Sequence, residues 1–217
     1  MYHIDMAAIA STRTNPKPET REAILDACDR IMSRYGFRKM TMDDLAKEAR
    51  LSKRTLYLYF SGKEDVGLSS IGRVVESVHA ELERLADSSA HPAHRLRQML
   101  ERRVMGRVEQ VQAYHQSLDE LFEVVRPAYM TRRQHYFNVE RDLIAAVLHE
   151  GTLSGQFAVA EPATTAEALL LATNAFLPYS LSVRELGNPE GIRTRLAPML
   201  DLLLRGVQSP THKEAQP

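Results

Sequence analysis

The amino-acid sequence predicts an all-α fold of about nine helices. Between residues 19 and 207, apolar residues recur three or four positions apart, as they do along the buried face of a helix. No segment alternates apolar and polar residues in the way that a half-buried strand does. Glycine and proline residues fall between the periodic segments, where they favour turns. Together these observations indicate helices joined by short connections.

The periodic segments give the bounds of the predicted helices. They cover residues 19–35, 42–49, 53–59, 62–86, 92–113, 115–124, 127–152, 164–182 and 189–206. The first of them ends at Gly36, a residue typical of a helix C-cap. Pro127 is expected at a helix start, where proline is tolerated. Pro178 and Pro198 fall inside helical patterns, so we expect a kink or an early end at each.

The helical region is predicted to form two domains between flexible ends. Residues 1–18 and 208–217 lack periodicity and are predicted to be a flexible arm and tail. Residues 19–66 hold three short helices and the start of a long fourth helix, whereas residues 67–207 hold the remaining helices. We therefore predict a small N-terminal domain and a larger C-terminal one.

Composition excludes several classes of protein. Hydrophobic residues make up 44% and charged residues 26% of the chain, values that are ordinary for a globular protein. The single cysteine, Cys28, excludes an intramolecular disulfide and suits a reducing compartment. The longest apolar-rich stretch, 166–179, is too short to span a bilayer, and no secretory leader is recognisable, so we expect a cytoplasmic protein with no membrane partner. The net charge of zero argues against a strongly basic nucleic-acid binder.

Residues 41–63 form the most informative block of the sequence. Thr41 and Asp44 have the spacing of a capping box at the start of the second helix, and Ser52 can cap the third. Two short helices joined by a tight turn indicate a helix-turn-helix, whose second helix enters the major groove. Leu56 and Phe60 would anchor that helix to the domain. The polar side chains left facing outward, which can donate to phosphates and base edges, are Lys53, Arg54, Thr55, Tyr57 and Tyr59.

Spacing alone leaves a plain helical hairpin open as an alternative to DNA binding. Lys63 lies in the first turn of the predicted fourth helix, where the helix dipole disfavours a cation. A phosphate bound by the free N–H groups of that helix start would reverse the effect. We therefore predict a phosphate clamp at a helix start capped by Ser61 and Glu64, the alternative being a solvated surface lysine.

The stretch from Thr20 to Val66 resembles the N-terminal domain of the TetR family of bacterial regulators. The run TLYLYF followed by GK is its most specific part, and Gly36-Phe37 and Thr41 also match. Beyond this stretch the likeness is one of layout, including the break GTLSGQF at residues 151–157. The resemblance implies a homodimeric repressor of double-stranded DNA, released from a palindromic operator by a small-molecule effector.

The resemblance also implies roles for single positions in the helix-turn-helix. Lys53, Arg54 and Tyr57 would contact bases, with Asp43 near the groove. The implied phosphate contacts are Thr41, Thr55, Tyr59 and Lys63. Arg50 and Arg54 stand where the family commonly has glycine, so a left-handed backbone at Arg50 would carry strain of about 1 kcal/mol.

In the C-terminal domain, the resemblance implies a dimer interface and a ligand pocket. The eighth predicted helix is apolar nearly all round and the ninth has an apolar stripe, as the family's four-helix interface requires. The implied interface residues are Leu169, Leu170, Phe176, Leu196, Met199 and Leu203. The candidate pocket residues, for which ordinary core packing is the alternative, are Met99, Met105, Tyr114, Phe122, Tyr136, Phe137, Asn174, Phe176 and Tyr179.

Catalytic and metal-binding patterns are missing from the sequence. It holds no phosphate-binding glycine loop, no HExxH and no nucleophile elbow, and its eight histidines are scattered. We therefore expect that the protein is not an enzyme and that it binds neither a metal ion nor a cofactor. Two alternatives remain open at this point: a DNA-binding regulator without a small-molecule ligand, and a small all-α enzyme or interaction protein that buries Lys53, Arg54 and Tyr57.

Overall fold

The computed structural model describes residues 17–209 and confirms the all-α prediction. Within this range the α-helices are α1 (Pro18–Tyr35), α2 (Met42–Glu48), α3 (Lys53–Tyr59), α4 (Lys63–Ala86), α5 (Pro92–Val111), α6 (Leu118–Leu153), α7 (Pro162–Thr173), α8 (Val183–Leu186) and α9 (Pro189–Val207). Three 3₁₀ helices cover Gln112–Ser117, Asn174–Phe176 and Pro178–Ser180. Most of the predicted arm and tail, residues 1–16 and 210–217, lies outside the described residues.

The last residue of the predicted arm and the first residues of the predicted tail belong to the folded structure. Pro18 is the first residue of α1 rather than the last of the arm. Gln208 forms an isolated antiparallel bridge with Phe157, and the Ser209 N–H donates to the Gln156 carbonyl at 2.9 Å. These bonds join the end of α9 to the loop after α6, so the flexible tail cannot begin at residue 208.

The N-terminal helices begin where local hydrogen bonds satisfy their free N–H groups. Thr41 accepts from the Asp44 N–H at 3.2 Å, and the Asp44 carboxylate accepts from the Thr41 N–H at 3.1 Å. Ser52 accepts from the Thr55 N–H at 3.0 Å. Both predicted caps are thus confirmed. Arg50, in the turn between α2 and α3, has a left-handed φ of 56°, as its place in a glycine-like position implied.

Polar bonds tie α1 to the long helix α4. Arg73 on α4 lies 2.6 Å from Asp26 and 2.6 Å from Asp29, and Ser70 donates to the other oxygen of Asp29 at 2.5 Å. The α4 helix then packs against α5 and α6. It therefore runs from the N-terminal helices into the C-terminal domain as one continuous helix.

The two helices predicted at 115–124 and 127–152 are one helix in the structure, so the expectation that Pro127 starts a helix is wrong. Proline in a helix costs about 3 kcal/mol because it lacks an N–H and crowds the preceding turn. Buried residues on both sides of Pro127, among them Phe122, Val125 and Tyr129, hold the helix together against that cost.

The prediction of one helix over residues 164–182 is also wrong, because the α-helix in this region ends at Thr173. Leu177 adopts the extended conformation that a following proline favours, so Pro178 prevents the helix from continuing. At the break, Arg103 donates to the Leu170 carbonyl at 3.3 Å and to Thr173 Oγ1 at 2.8 Å. By contrast, Pro198 lies within α9, which continues to Val207.

Candidate nucleic-acid interface

Helix α3 buries one side and presents the other to solvent. Leu56 and Phe60 are buried in the hydrophobic core and anchor the helix, as predicted. Lys53, Arg54 and Tyr57, spaced one and three residues apart, are all exposed. The three predicted base-contact residues therefore share an accessible surface, which argues against the alternative in which they are buried.

Lys53 and Arg54 differ in what surrounds their charges. The Lys53 ammonium lies 2.9 Å from the carboxylate of Asp43 on α2, and this hydrogen bond raises the pKa of Lys53. Arg54 makes no hydrogen bond or ion pair with any of the residues between 17 and 209. The Arg54 guanidinium is thus available to a ligand, whereas Lys53 must share its charge with Asp43.

The exposed surface of α3 also includes Leu58, which was not among the residues predicted from the sequence. Its side chain is 62% exposed and lies one turn of α3 after Arg54. An apolar side chain on a recognition helix can contact the methyl group of thymine. Helical spacing could have identified it, because a leucine four positions after Arg54 cannot lie on the same buried side as Leu56 and Phe60.

Three predicted phosphate contacts are already hydrogen-bonded within the protein. The Thr41 hydroxyl donates to Asp44 at 2.6 Å, and the Thr55 hydroxyl lies 2.8 Å from that of Ser52. The Tyr59 hydroxyl accepts from the Lys17 N–H at 2.8 Å, so it still has a proton to donate. Tyr59 is thus the hydroxyl of this set best prepared to bind a phosphate.

Lys63 contacts the protein more closely than the phosphate-clamp prediction assumed. Its ammonium donates to the carbonyls of Arg38 at 3.0 Å and Met40 at 3.1 Å, and it lies 5.2 Å from the centre of the Phe37 ring. An ammonium has three N–H donors, so one remains for a phosphate. Lys63 therefore holds the α1–α2 loop in place as well as carrying a charge.

The capping predicted around Lys63 is wrong. Helix α4 begins at Lys63 with Gly62 as its N-cap, and no side chain caps it. Ser61 pairs with Asp65, whose carboxylate accepts from the Ser61 N–H at 3.0 Å, instead of Glu64. The predicted capping box fails because the helix starts one residue later than its spacing assumed.

We predict that Lys63→Ala weakens binding to all DNA sequences by about tenfold at low salt and lowers the salt slope by about one. The variant should also lose about 1–2 kcal/mol of stability, since two loop carbonyls lose their donor. Lys39→Ala, which removes an exposed lysine of the same loop, is the matched control for stability. Fluorescence anisotropy and thermal unfolding measure the two effects, and unchanged DNA affinity in Lys63→Ala would disprove the clamp.

The predicted ligand pocket is closed in the structure. Phe122 and Tyr179 line a cavity of about 20 Å³, and Tyr136, Phe137 and Tyr179 line a second one of about 10 Å³. A cavity of this size holds one water at most, whereas a ligand site needs hundreds of cubic ångströms.

The other predicted pocket residues lie elsewhere. Met99 and Tyr114 are buried in the core, and Met105 borders an outer groove between α4, α5 and α9. Asn174 accepts from Arg103 at 2.7 Å, and Phe176 packs against the core. These five residues line neither interior cavity, so four of the nine predicted pocket residues remain, and Tyr129, which was not predicted, lines both cavities.

A buried charged cluster, which the sequence did not indicate, lies beside these cavities. Arg103 and Arg107 on α5 both contact Glu140 on α6, with Arg103 Nε 2.7 Å from a carboxylate oxygen. His79 lies 3.0 Å from the same carboxylate. Although burial opposes ionisation, the charges of Arg107 and Arg103 hold the pKa of Glu140 well below its usual range.

Several predicted interface residues have no surface left for a partner. Leu169, Leu170 and Leu196 are buried in the core of the single chain. Met199 and Leu203 are half-buried, as is Phe176. The exposed apolar residues of α7 and α9 are instead Leu171, with 55% of its surface exposed, and Leu202, with 68%. Leu169, Leu170 and Leu196 are therefore withdrawn from the predicted interface, because the apolar face that each helix turns inward packs against its own chain.

Comparison with known proteins identifies the family. The profile described as "Bacterial regulatory proteins, tetR family" matches residues 24–67, and the profile "Tetracyclin repressor-like, C-terminal domain" matches residues 92–195. The chain belongs to the TetR family. The first match covers the helix-turn-helix described above, and the second covers most of the helices around the buried charged cluster.

Relatives and solved structures agree with this assignment to the TetR family. The chain is 30% identical over 98 residues to the HTH-type transcriptional regulator HbdR of Aromatoleum sp. (strain CIB), covering 43% of each chain. The matches to HbdR and to two further regulators cover less than half of the length of each of those relatives. A transcriptional regulator from Cytophaga hutchinsonii has the same fold, with a TM-score of 0.70, 18% identity and coverage of 87% of this chain and 98% of that one. SmeT in its triclosan complex follows, with a TM-score of 0.65, 21% identity and coverage of 88% and 93%.

TetR-family regulators are non-enzymatic transcription factors, which agrees with the expectation that this protein is not an enzyme. No helix within residues 17–209 is long and apolar enough to cross a membrane. Within the same range, no group of three or more histidine, cysteine, aspartate or glutamate side chains is placed to hold a metal ion.

Proposed function

We propose that this protein is a DNA-binding transcriptional repressor of the cytoplasm, which binds a palindromic operator as a homodimer and is released by a small molecule. The exposed face of α3 carries this proposal, because Arg54, Tyr57 and Leu58 offer a cation, a hydroxyl and an apolar group to base edges. Tyr59 and Lys63 flank that face with donors for phosphates.

The experiment that tests this function is selection of genomic DNA fragments by the purified full-length chain at two salt concentrations. We expect a palindromic sequence to be enriched, with half-sites about one helical turn apart and affinity falling steeply with salt. Absence of enrichment at low salt would rule out DNA recognition.

A homodimer would place two α3 helices in successive major grooves. We predict that Leu171→Glu combined with Leu202→Glu converts the dimer to a monomer, because both leucines would otherwise be buried between subunits. Operator affinity should then fall by about a hundredfold, since the two half-sites no longer bind together. Sedimentation velocity measures the assembly, with Val124→Glu on α6 as a control at another exposed apolar position. A double variant that stays dimeric would place the interface elsewhere.

Effector release requires a connection between the interior of the C-terminal domain and α3. Val111 and Leu118 line the larger cavity, and the segment between them packs against α1. Within it, Ser117 donates to the Met32 carbonyl at 2.8 Å. Two residues after Leu118, Glu120 accepts from the Arg38 N–H at 2.9 Å. A ligand that shifts this segment would shift the spacing of the two α3 helices, and so favour a dimer that no longer fits the operator.

The closed interior favours a second candidate, a regulator without a small-molecule ligand, because cavities of about 10 and 20 Å³ admit none. The triclosan complex of the structurally similar SmeT supports the ligand-controlled version. Both candidates share the DNA-binding surface, so the salt-dependent selection experiment applies to either.

A further inference from the structure

The interior of the C-terminal domain holds more positive than negative charge. Arg103 and Arg107 are buried, and Glu140 is the acidic group between them. Two guanidinium groups and one carboxylate leave one positive charge unbalanced. His79, which lies 3.0 Å from Glu140, adds no negative charge in either protonation state. An unbalanced charge in a protein interior is costly, so this cluster favours the binding of an anion.

Arg107 has the unused donors that could bind this anion. Arg103 is well satisfied, since it donates to Glu140, Thr173 and Asn174 at 2.7–2.8 Å. Arg107 has five N–H donors, but within residues 17–209 it bonds only the Arg103 carbonyl, at 2.6 Å, and Glu140. The Arg107 residue is 6% exposed, and its side chain lines both interior cavities.

Tyr179 occupies the space between these cavities. Its ring borders both of them and packs 5.5 Å from the ring of Tyr129. Its hydroxyl accepts a hydrogen bond from Arg133 Nε at 3.0 Å, and the Arg133 guanidinium lies 5.2 Å from the ring centre. Tyr179 stands in the 3₁₀ turn Pro178–Ser180, outside the long helices. An outward swing of its ring would join the two cavities and free the donors of Arg133.

We propose that the effector is a small organic carboxylate, which displaces Tyr179 and binds Arg107 and Arg133 through its carboxylate group. This inference rests on the proposed function and names the ligand class of that regulator. The carboxylate balances the buried positive charge and forms charge-assisted hydrogen bonds with both guanidinium groups. Its apolar body takes the place of the tyrosine ring, against Ile71, Val74, Leu118 and Phe122.

Thermal unfolding of the full-length protein without DNA tests this inference. The probes are benzoate, hexanoate and decanoate, with benzamide, hexanamide and decanamide as neutral analogues of matched shape. We expect at least one carboxylate to raise Tm by about 3 °C at about ten times its Kd, and its amide to leave Tm unchanged. The same carboxylate should release the selected operator.

Arg107→Gln should abolish the carboxylate response while the protein still folds, because Arg103 and Glu140 then balance each other. Arg141→Gln is the control, since Arg141 pairs with Asp142 at the surface of the same helix as Glu140. Tyr179→Phe provides an independent variant. It removes the hydrogen bond to Arg133 that keeps the turn closed, so carboxylate affinity should rise by about fivefold.

Three results would overturn the inference: equal Tm shifts with acids and amides, no shift with any probe, or an equal shift with chloride or phosphate alone. An unchanged affinity in Tyr179→Phe would overturn the displacement of the ring. The two proposals fail separately. Normal operator binding without a carboxylate response contradicts only the ligand class, whereas a carboxylate response without operator binding contradicts only the DNA-binding function.

Discussion

Glu140→Gln is expected to lower the free energy of unfolding by about 3–5 kcal/mol, because it leaves Arg103 and Arg107 buried without a counter-charge. For a chain of this size that corresponds to a fall in Tm of about 10 °C. Glutamine keeps the shape and some hydrogen-bonding capacity of the side chain, so the loss reports mainly on charge. Chemical denaturation monitored by circular dichroism gives the free energy directly.

Asp142→Asn is the matched control for this prediction. Asp142 lies two residues further along α6 and pairs with Arg141 at the surface, where such a pair contributes less than about 1 kcal/mol. Combining Glu140→Gln with Arg107→Gln should recover part of the lost stability, since one of the two unbalanced charges is then gone. Equal stability of Glu140→Gln and Asp142→Asn would mean that water already compensates the buried cluster.

The same cluster predicts how stability depends on pH. The pKa of Glu140 is lowered in the folded protein from its ordinary value of 4.5, so the unfolded chain takes up the proton first. The stability that Glu140 contributes is therefore complete above its unfolded pKa and is lost progressively as the pH falls below it. The Glu140→Gln variant should lack this part of the acid destabilisation, which a comparison of denaturation at neutral and acidic pH would measure.

The sequence predicts those features that depend on neighbouring residues. The caps at Thr41 and Ser52 and the outward face of α3 follow from residues a few positions apart, and the structure has each of them. The partners of Lys63 could not be predicted in this way, because the two carbonyls it contacts lie 25 and 23 residues earlier in the chain. The hydrogen bonds by which Lys63 holds the α1–α2 loop could therefore be identified only from the tertiary structure.

The buried charged cluster shows where a general rule about residue type misleads. Arginine is rarely buried, so the spacing of Arg103 and Arg107 on the same face as Met99, Leu100 and Val104 carried no weight in the sequence analysis. That spacing of four residues was nevertheless a signal, because charged residues on an apolar helix face need a partner inside the protein. Glu140 could not be identified as this partner, since it lies 33 residues beyond Arg107.

Arg54→Ala is expected to lower affinity for the preferred operator by about tenfold to a hundredfold while changing affinity for unrelated DNA much less. Arg54 is the exposed cation of α3 whose guanidinium has no partner among residues 17–209, so it would enter a groove without first breaking a bond to any of them. Lys53 must instead exchange its bond to Asp43 for any base. Competition binding of operator and random-sequence DNA measures the ratio of the two affinities.

Arg54→Lys separates geometry from charge at this position. Lysine keeps the positive charge, and with it the attraction to phosphates, but it cannot form the paired, planar hydrogen bonds that arginine makes with guanine. If Arg54 reads a base, Arg54→Lys should retain the affinity for random DNA and lose most of the discrimination. If Arg54 contacts only phosphates, the lysine variant should behave as the original protein does, and sequence recognition must then rest on Tyr57 and Leu58, the other exposed side chains of the same helix face.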